Sequence, residues 1–462
     1  MRAAPRRTRS RVLKVGGAAL LALGIAAFAA SVAERAPAPA ATARAATVPF
    51  PPEARLLAEA ARVPEHVQTL YYFGFDSINY DVPAGVMARY ADFVEDGDHG
   101  EFAARFKAAG GRYALAYDDP VYVPYCVPPF KPPAGPCDQE FSHYIKDESG
   151  WFHGPDGARV HRYVPNDKKY YEAVNPASPA ARRAWREFTA VVKRRAPAID
   201  FIMSDDSGGT LRFGDNGPKS SLFWDFNEAG VEIQRDLDYR DAMIAYLSEA
   251  ALPLIINGGD PNDTAAYGGA FVRLPFVRGN IHEACYRDDA GVRAFDRGWK
   301  YRSDAMLANI ALRRWSFCYM DGPPRLERRL YALASWWLVY DPQWTVAAPI
   351  QHAAKSSLLP EYSIVPRFPS RTAVTHVEEL QAPTGAFARE FGGCYQERRF
   401  IGGCATVVNP TTLPVAMPPL AGRYRHALEL RGDDVLAGGT YAWVVRTPPA
   451  ALPPTTAVVL LR

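Results

Sequence analysis

Two acidic residues of this sequence stand at the ends of short runs that predict strands. Asp205 follows Phe201–Ser204, and Glu283 follows Asn280–His282. Cleavage of a glycosidic bond typically needs two carboxyl groups, one acting as acid and the other as nucleophile or base. We therefore take Asp205 and Glu283 as the candidate catalytic pair.

Asp206 competes with Asp205 for the catalytic role, since both follow the same run. Successive side chains of a strand point to opposite faces, so only one of these two carboxyl groups can face the same side of the sheet as the functional site. We predict that Asp205 is catalytic and that Asp206 orients its neighbour or caps the next element.

Further polar and aromatic residues lie at strand ends or in the loops that follow. Carboxylate, amide and imidazole groups there could bind sugar hydroxyls, and aromatic faces could stack on sugar rings, with Trp151 and Trp299 as additional aromatic candidates. Each has a structural alternative, because Asp and Asn end strands and aromatic residues often pack in cores. The candidate substrate-binding residues are Asp118, Asp119, Asp206, Asn257, His282, Tyr286, Asp321 and Trp224.

Other catalytic chemistries lack their sequence motifs here. The chain has neither a P-loop nor a G-x-S-x-G elbow, and Ser207-Gly208-Gly209 is a Gly-rich turn rather than a phosphate cradle. His282-Glu283 lacks the second histidine of a zinc-binding helix. We expect neither a cofactor nor a metal.

The elements that position these residues alternate between β-rich runs and amphipathic helical stretches, clearest at Pro179–Arg195. This alternation predicts a (β/α)8 TIM barrel, an α/β fold in which the carboxyl ends of the strands converge on one face. The eight predicted strands are His66–Asp76, Arg112–Asp119, Tyr170–Asn175, Ile199–Asp205, Pro253–Asn257, Asn280–Glu283, Trp315–Asp321 and Gln343–Gln351.

The amino-acid composition changes after residue 370, where Gly, Pro, Thr and Val are frequent and no helical pattern follows. Arg398–Asn409 predicts strand, turn and strand, and Tyr424–Leu430, Thr440–Val445 and Ala457–Leu461 predict further strands. We expect a barrel at residues 53–370 and a small C-terminal β-sandwich domain at 371–462.

The N-terminus carries a targeting pattern. A basic region with Arg6-Arg7 precedes the apolar stretch Val15–Ala30, and small residues follow at Ser31–Ala33. Residues 1–33 therefore predict a secretory signal, or alternatively an uncleaved inner-membrane anchor, and residues 34–52 an Ala/Pro-rich linker. The formal net charge of the whole chain is +3, and the basic region alone supplies more positive charge than that. The rest of the chain is slightly acidic, so no nucleic-acid partner is expected.

Six cysteines can oxidise in an exported chain. Pairing between cysteines close in sequence predicts disulfides Cys126–Cys137 and Cys394–Cys404. Cys285 and Cys318 could form a third bridge or remain buried free thiols.

The run Asp200–Asp206 (DFIMSDD) resembles the D-G-hydrophobic-hydrophobic-hydrophobic-D-D motif on the fourth strand of TIM-barrel glycoside hydrolases, with Phe201 in place of the usual Gly. Ile255–Gly259 and Ile281–Glu283 are similar to the fifth and sixth strands. The junction with the C-terminal region resembles that of the hypothetical glycosyl hydrolase families, such as family 15, at Val377–Leu380, Pro383–Gly385, Arg398–Phe400 and Val407–Thr411.

This resemblance implies a polysaccharide-active barrel. By analogy with barrels of the α-galactosidase clan, which use acids on strands four and six, Asp205 would be the nucleophile and Glu283 the acid/base. We expect a periplasmic or extracellular glycoside hydrolase that acts on a polysaccharide or oligosaccharide and meets the membrane only through an N-terminal anchor. The alternatives are a non-catalytic carbohydrate-binding barrel and a transglycosylase of exopolysaccharide assembly.

Overall fold

Eight parallel strands form a nearly closed barrel in the computed structural model of the protein. The barrel closes where Thr69, next to the first strand, bridges Ala347 of the eighth, and the Ala347 amide donates to the Gln68 carbonyl at 2.9 Å. The predicted (β/α)8 fold class is therefore confirmed. The strands are β1 (Leu70–Tyr71), β2 (Phe93–Asp96), β3 (Tyr113–Asp118), β4 (Phe201–Ser204), β5 (Leu254–Asn257), β6 (Val277–His282), β7 (Trp315–Tyr319) and β8 (Thr345–Ala348).

The structure describes residues 49–71, 83–97, 99–125, 140–153, 157, 159, 161–164, 169–207, 236–258, 271–283, 285–288, 291–292, 298–320, 325–348, 359–371, 373–433 and 440–462. The predicted signal segment 1–33 lies outside these residues. Residues 45–462 form one compact unit. No helix in the described ranges is long and apolar enough to span a membrane.

Large apolar side chains at every second strand position fill the barrel interior, because successive side chains of a strand point to opposite faces. They include Phe93, Leu115, Met203, Ile255 and Ile281 on β2 to β6. Two residues further along each of these five strands, the same inward face therefore carries polar side chains at the carboxyl end of the barrel. These are Glu95, Tyr117, Asp205, Asn257 and Glu283.

Helices flank the strands, and the helix before β4 shows how the sequence starts one. Ser178 accepts a hydrogen bond from the Ala180 amide at 3.1 Å, and Pro179 takes the first helical position. Its buried face carries Trp185 and Phe188. The helices within the described residues are α1 (Glu53–Glu59), α2 (Ala84–Met87), α3 (Glu101–Ala108), α4 (Pro179–Arg195), α5 (Asp236–Leu247), α6 (Trp299–Ala311) and α7 (Leu326–Leu338), with short 3-10 turns elsewhere.

One predicted barrel strand is wrong. The predicted run Tyr170–Asn175 overlaps the strand Lys169–Ala173, which is not part of the barrel. This strand pairs antiparallel with Tyr122–Tyr125 and His161–Val164 in a small sheet inserted after β3. The second barrel strand is β2 instead, which the pattern missed because half of its four residues are acidic. The other predicted strands overlap the strands of the barrel.

The C-terminal region contains antiparallel sheets, as predicted. The strands of the main sheet are β9 (Ile364–Pro369), β10 (Phe387–Gln396), β11 (Arg399–Asn409), β12 (His426–Gly432), β13 (Tyr441–Arg446) and β14 (Thr456–Leu461). Their order in the sheet is β9-β10-β11-β14-β12-β13. Arg398–Asn409 is not strand, turn and strand, because the turn lies at Glu397 and Arg398, which adopt φ of 49° and 61°. A second pair joins Val415–Ala416 to Ala451–Leu452.

Helix α7 connects the barrel to the main C-terminal sheet. Thr406 of β11 donates to the Ala334 carbonyl at 2.9 Å, and Arg389 of β10 donates to the Leu338 carbonyl at 2.8 Å. The buried Arg329 forms an ion pair with Glu361, whose other oxygen accepts from the Tyr441 hydroxyl at 2.6 Å. The sheet is thereby fixed to the barrel by polar contacts as well as by packing.

Two disulfides are present among the described residues. Cys394–Cys404 joins β10 to β11, which confirms the predicted bridge. Cys285–Cys318 links the segment after β6 to β7, which decides between the bridge and the free thiols. The predicted pair Cys126–Cys137 lies outside the described residues.

Candidate active site

Asp205 lies one residue beyond β4 and is almost fully enclosed, with 7% of its surface exposed. Its Oδ2 accepts a hydrogen bond from the Tyr117 hydroxyl at 2.8 Å. Its Oδ1 accepts from the Asn257 side-chain amide at 2.7 Å and from the Asp206 backbone amide at 2.9 Å. Three donors from β3, β5 and its own turn therefore fix the orientation of this carboxyl group.

Glu283 follows β6 and faces Asp205 across a single amide group. Its Oε1 accepts from Asn257 Nδ2 at 2.9 Å, and the same nitrogen lies 2.7 Å from Asp205 Oδ1. The two oxygens are therefore no farther apart than the sum of these distances. Carboxyl groups of retaining glycosidases are about 5–5.5 Å apart and those of inverting enzymes about 6.5–9.5 Å apart. This upper limit on the distance between the two oxygens fits the spacing of retaining enzymes.

The two members of the pair differ in exposure. Asp205 is buried, whereas the Glu283 side chain is exposed to solvent. A buried, firmly held carboxylate suits nucleophilic attack, and an exposed carboxyl group can exchange its proton with water. The geometry thus gives the two acids different chemical environments.

Asp206 takes a left-handed conformation, with φ of 48°. Its contact with Asp205 is made by its backbone amide, which donates to Asp205 Oδ1. Asp118 supports the same turn through its backbone, since its carbonyl accepts from the Asp205 amide at 2.9 Å. Alternation along β3 turns the Asp118 side chain to the outer face, where it is buried.

Asp119 continues the inward face of β3 and is buried. Its Oδ1 accepts from the backbone amides of Val121 and Tyr122, both at 2.9 Å. Burial raises the pKa of Asp119 well above its usual value, and the negative charge of Asp205 raises it further, outweighing these two hydrogen bonds. Ionisation of Asp119 beside Asp205 is therefore disfavoured.

Sequence reasoning missed Glu95, which reaches the same inward layer from β2. Burial raises its pKa well above the usual range, with the negative charges of Asp205 and then Asp96 as smaller causes. A signal was present, because Glu95 follows the apolar pair Phe93-Val94 as Asp205 follows its own run. The strand itself was not recognised, so its acid was not considered.

The structure does not bring His282 and Tyr286 to Asp205. The His282 ring faces outward from β6 and contacts Ser316 Oγ at 2.8 Å, fully buried. Tyr286 is also fully buried, with its hydroxyl 3.1 Å from Ser303 Oγ on α6. Both lie in the layer between barrel and helices, because alternation along β6 turns His282 away from the interior.

The other two aromatic candidates that the structure describes, Trp299 and Trp151, are buried in packing contacts. Trp299 begins α6, is fully buried and donates to Ser335 Oγ at 2.9 Å. Trp151 is buried beneath the guanidinium of Arg159, which lies 4.6 Å from its ring centre. Asp321 and Trp224 lie outside the described residues. Within the described part of the chain, no group of three or more His, Cys, Asp or Glu side chains could hold a metal ion.

Comparison with known proteins gives fold-level likenesses only. No protein-family model and no curated protein matches the sequence. Aspergillus fumigatus Ega3, solved with galactosamine, is 9% identical over 63% of this chain and 92% of its own, with a TM-score of 0.34. An α-amylase from Malbranchea cinnamomea is 10% identical over 85% and 96%, with a TM-score of 0.38. The α-galactosidase from Lactobacillus brevis is 8% identical over 87% and 56%, with a TM-score of 0.39.

Similarities this distant say nothing about activity or substrate. The chemical interpretation of the site depends on its own geometry.

Proposed function

We propose that this protein is a glycoside hydrolase that cleaves a polysaccharide or oligosaccharide with Asp205 and Glu283. The observation that carries the proposal is the amide of Asn257, whose one nitrogen donates to both carboxyl groups. This arrangement sets two acids on either side of one position at the mouth of the barrel.

The spacing supports a retaining mechanism with two displacements. In the first, Asp205 attacks the anomeric carbon while Glu283 gives its proton to the departing glycosidic oxygen. This step forms a bond between Asp205 and the sugar and leaves Glu283 as a carboxylate. In the second, Glu283 takes a proton from water as that water releases the sugar from Asp205. A sugar hydroxyl in place of the water would give transglycosylation by the same residues.

Export is part of the proposal. The two disulfides support an oxidising compartment, since such bridges are rare in cytosolic proteins. The substrate would then be an extracellular or cell-envelope polysaccharide, reached by a protein that is periplasmic or extracellular.

The test begins with purified protein and a panel of polysaccharides, with newly formed reducing ends as the readout. On an unactivated substrate, Glu283→Gln should lose about 10²–10⁴-fold in kcat/KM, because general acid catalysis contributes that much. On an aryl glycoside, whose leaving group needs little protonation, the loss should be much smaller. Asp205→Asn should be severely impaired on both substrates.

Asp206→Asn is the matched control, since the backbone amide of Asp206 makes its contact with Asp205 and the substitution keeps that amide. It should retain more activity than Asp205→Asn while folding equally well by circular dichroism. A folded Asp205→Asn variant with near-normal rates, beside an inactive Asp206→Asn, would transfer the role to Asp206. Wild-type rates in Asp205→Asn, Asp206→Asn and Glu283→Gln would refute the catalytic pair.

A further inference from the structure

Glu95 is an enclosed carboxyl group that the proposed reaction does not use. Only 5% of the residue is exposed, although it lies on the inward face of β2 at the catalytic end of the barrel. Its Oε2 is fully enclosed and has no hydrogen-bond partner among the described residues. A buried polar atom without a partner destabilises the fold, so natural proteins rarely keep one without a reason.

Among the described residues, the charged groups that act on Glu95 are acids. On β4 the negative charge of Asp205 opposes ionisation of Glu95, and so does that of Asp96 on β2 itself. Asp96 faces outward and accepts from the backbone amides of Gly97 and Ala103. On β3, the buried Asp119 is likewise influenced by Asp205.

The hydrogen bonds around this cluster are unequally distributed. Asp205 accepts from Tyr117, Asn257 and the Asp206 amide. Glu95 Oε2 accepts from no described donor. Two like charges close together in an enclosed site cannot both be sustained, so the proton belongs on Glu95, whose Oε2 accepts from no described donor.

We propose that Glu95 and Asp205 together hold one negative charge, with the proton on Glu95, so that Glu95 is a positioning residue for the nucleophile. The nucleophilic role of Asp205 rests on the proposed function, whereas the shared charge does not. Loss of the Glu95 proton would place a second negative charge beside Asp205. Repulsion between the two carboxylates would then displace Asp205 from the Tyr117 hydroxyl and the Asn257 amide, and activity would fall.

Infrared difference spectroscopy tests the shared charge without any substrate. The wild-type spectrum minus that of Glu95→Gln should contain, at neutral pH, the carbonyl band of a protonated carboxylic acid. The same difference is then taken in an Asp205→Asn background. There the band should convert to carboxylate at a pH lower by about one unit or more, because the opposing charge is gone.

Asp96→Asn provides a graded comparison in the same experiment. It should lower the conversion pH less than Asp205→Asn does, since the Asp96 charge is the smaller cause. Absence of the acid band at neutral pH would overturn the proposal. So would equal conversion in the wild-type and Asp205→Asn backgrounds.

The positioning role is tested by the pH profile of kcat/KM on an aryl glycoside with a good leaving group, for which protonation by Glu283 matters little. Wild-type kcat/KM should fall at alkaline pH. Glu95→Gln cannot ionise and should lack this fall, whereas Asp96→Asn should keep it. If Glu95→Gln falls in parallel with wild type, Glu95 does not position Asp205. If the wild type cleaves no glycoside at all, the proposed function fails, and the infrared result still decides the shared charge.

Discussion

At the scale of single residues, Asn257 is the centre of the site. A side-chain amide nitrogen carries two hydrogens, and here one is directed to Asp205 and the other to Glu283. The sequence predicted Asn257 as a ligand for sugar hydroxyls, a role that stays a prediction. Its contacts in the structure indicate in addition that it sets the distance between the two acids.

Replacing Asn257 should therefore impair catalysis through both carboxyl groups. Hydrogen bonds to charged groups contribute about 1.5–3 kcal/mol, so Asn257→Ala should lower kcat/KM about ten- to hundredfold. Asn257→Asp should be worse, because it sets a third carboxylate between two others. Asn175→Ala, at a turn before α4, is the control and should leave kcat/KM unchanged. Wild-type kcat/KM in Asn257→Ala would show that the acids hold their spacing without it.

At the scale of the secondary-structure elements, the strand that carries a site residue determines whether the sequence could predict that residue. Asp205 and Glu283 follow runs that form β4 and β6, so the alternating pattern was sufficient to place them. Glu95 lies on a four-residue strand that contains two acids, and such a strand has too few apolar residues to be recognised. The run Tyr170–Asn175 was misplaced because alternation of side chains does not distinguish a barrel strand from an inserted hairpin strand.

At the same scale, the contact between α7 and the C-terminal sheet depends on a buried charge. Removing one partner of a buried ion pair costs about 3–5 kcal/mol, because the other charge is left uncompensated. Glu361→Gln should therefore reduce the free energy of unfolding by about that amount, as measured by urea denaturation. Glu429→Gln is the matched control on β12, since Glu429 pairs with Arg431 at the surface.

An exposed ion pair contributes about 0–1 kcal/mol, so the control should unfold almost as the wild type does. Equal stability of the two variants would mean that the buried positive charge of Arg329 is compensated without Glu361. The Tyr441 hydroxyl, which also contacts Glu361, would then be the next partner to replace.

At the scale of the whole molecule, the sequence predicted an exported barrel with a C-terminal β region. The barrel and the antiparallel sheets are confirmed, because their patterns extend over many residues. The predicted domain division at residue 370 stays a prediction, and β9 already begins at Ile364. Periodicity cannot locate such a division where α7 and the sheet share one buried layer.

Export of the whole protein predicts a defined N-terminus for the exported form. Protein recovered from the periplasm or medium should begin near Glu34, because the small residues Ser31–Ala33 provide a cleavage position. N-terminal sequencing of that fraction is the measurement. An intact Met1 in the membrane fraction would identify the segment as an anchor instead.

The strand order of the main C-terminal sheet has a consequence for how the chain assembles. β14 is the latest of its strands in the chain, yet it lies in the middle of the sheet, between β11 and β12. During synthesis the hairpin of β12 and β13 therefore emerges before the strand that attaches it to the rest. A chain interrupted before residue 456 would expose two open strand edges, which invite pairing between molecules. The sheet is thus completed last from its centre, and prematurely terminated chains should aggregate.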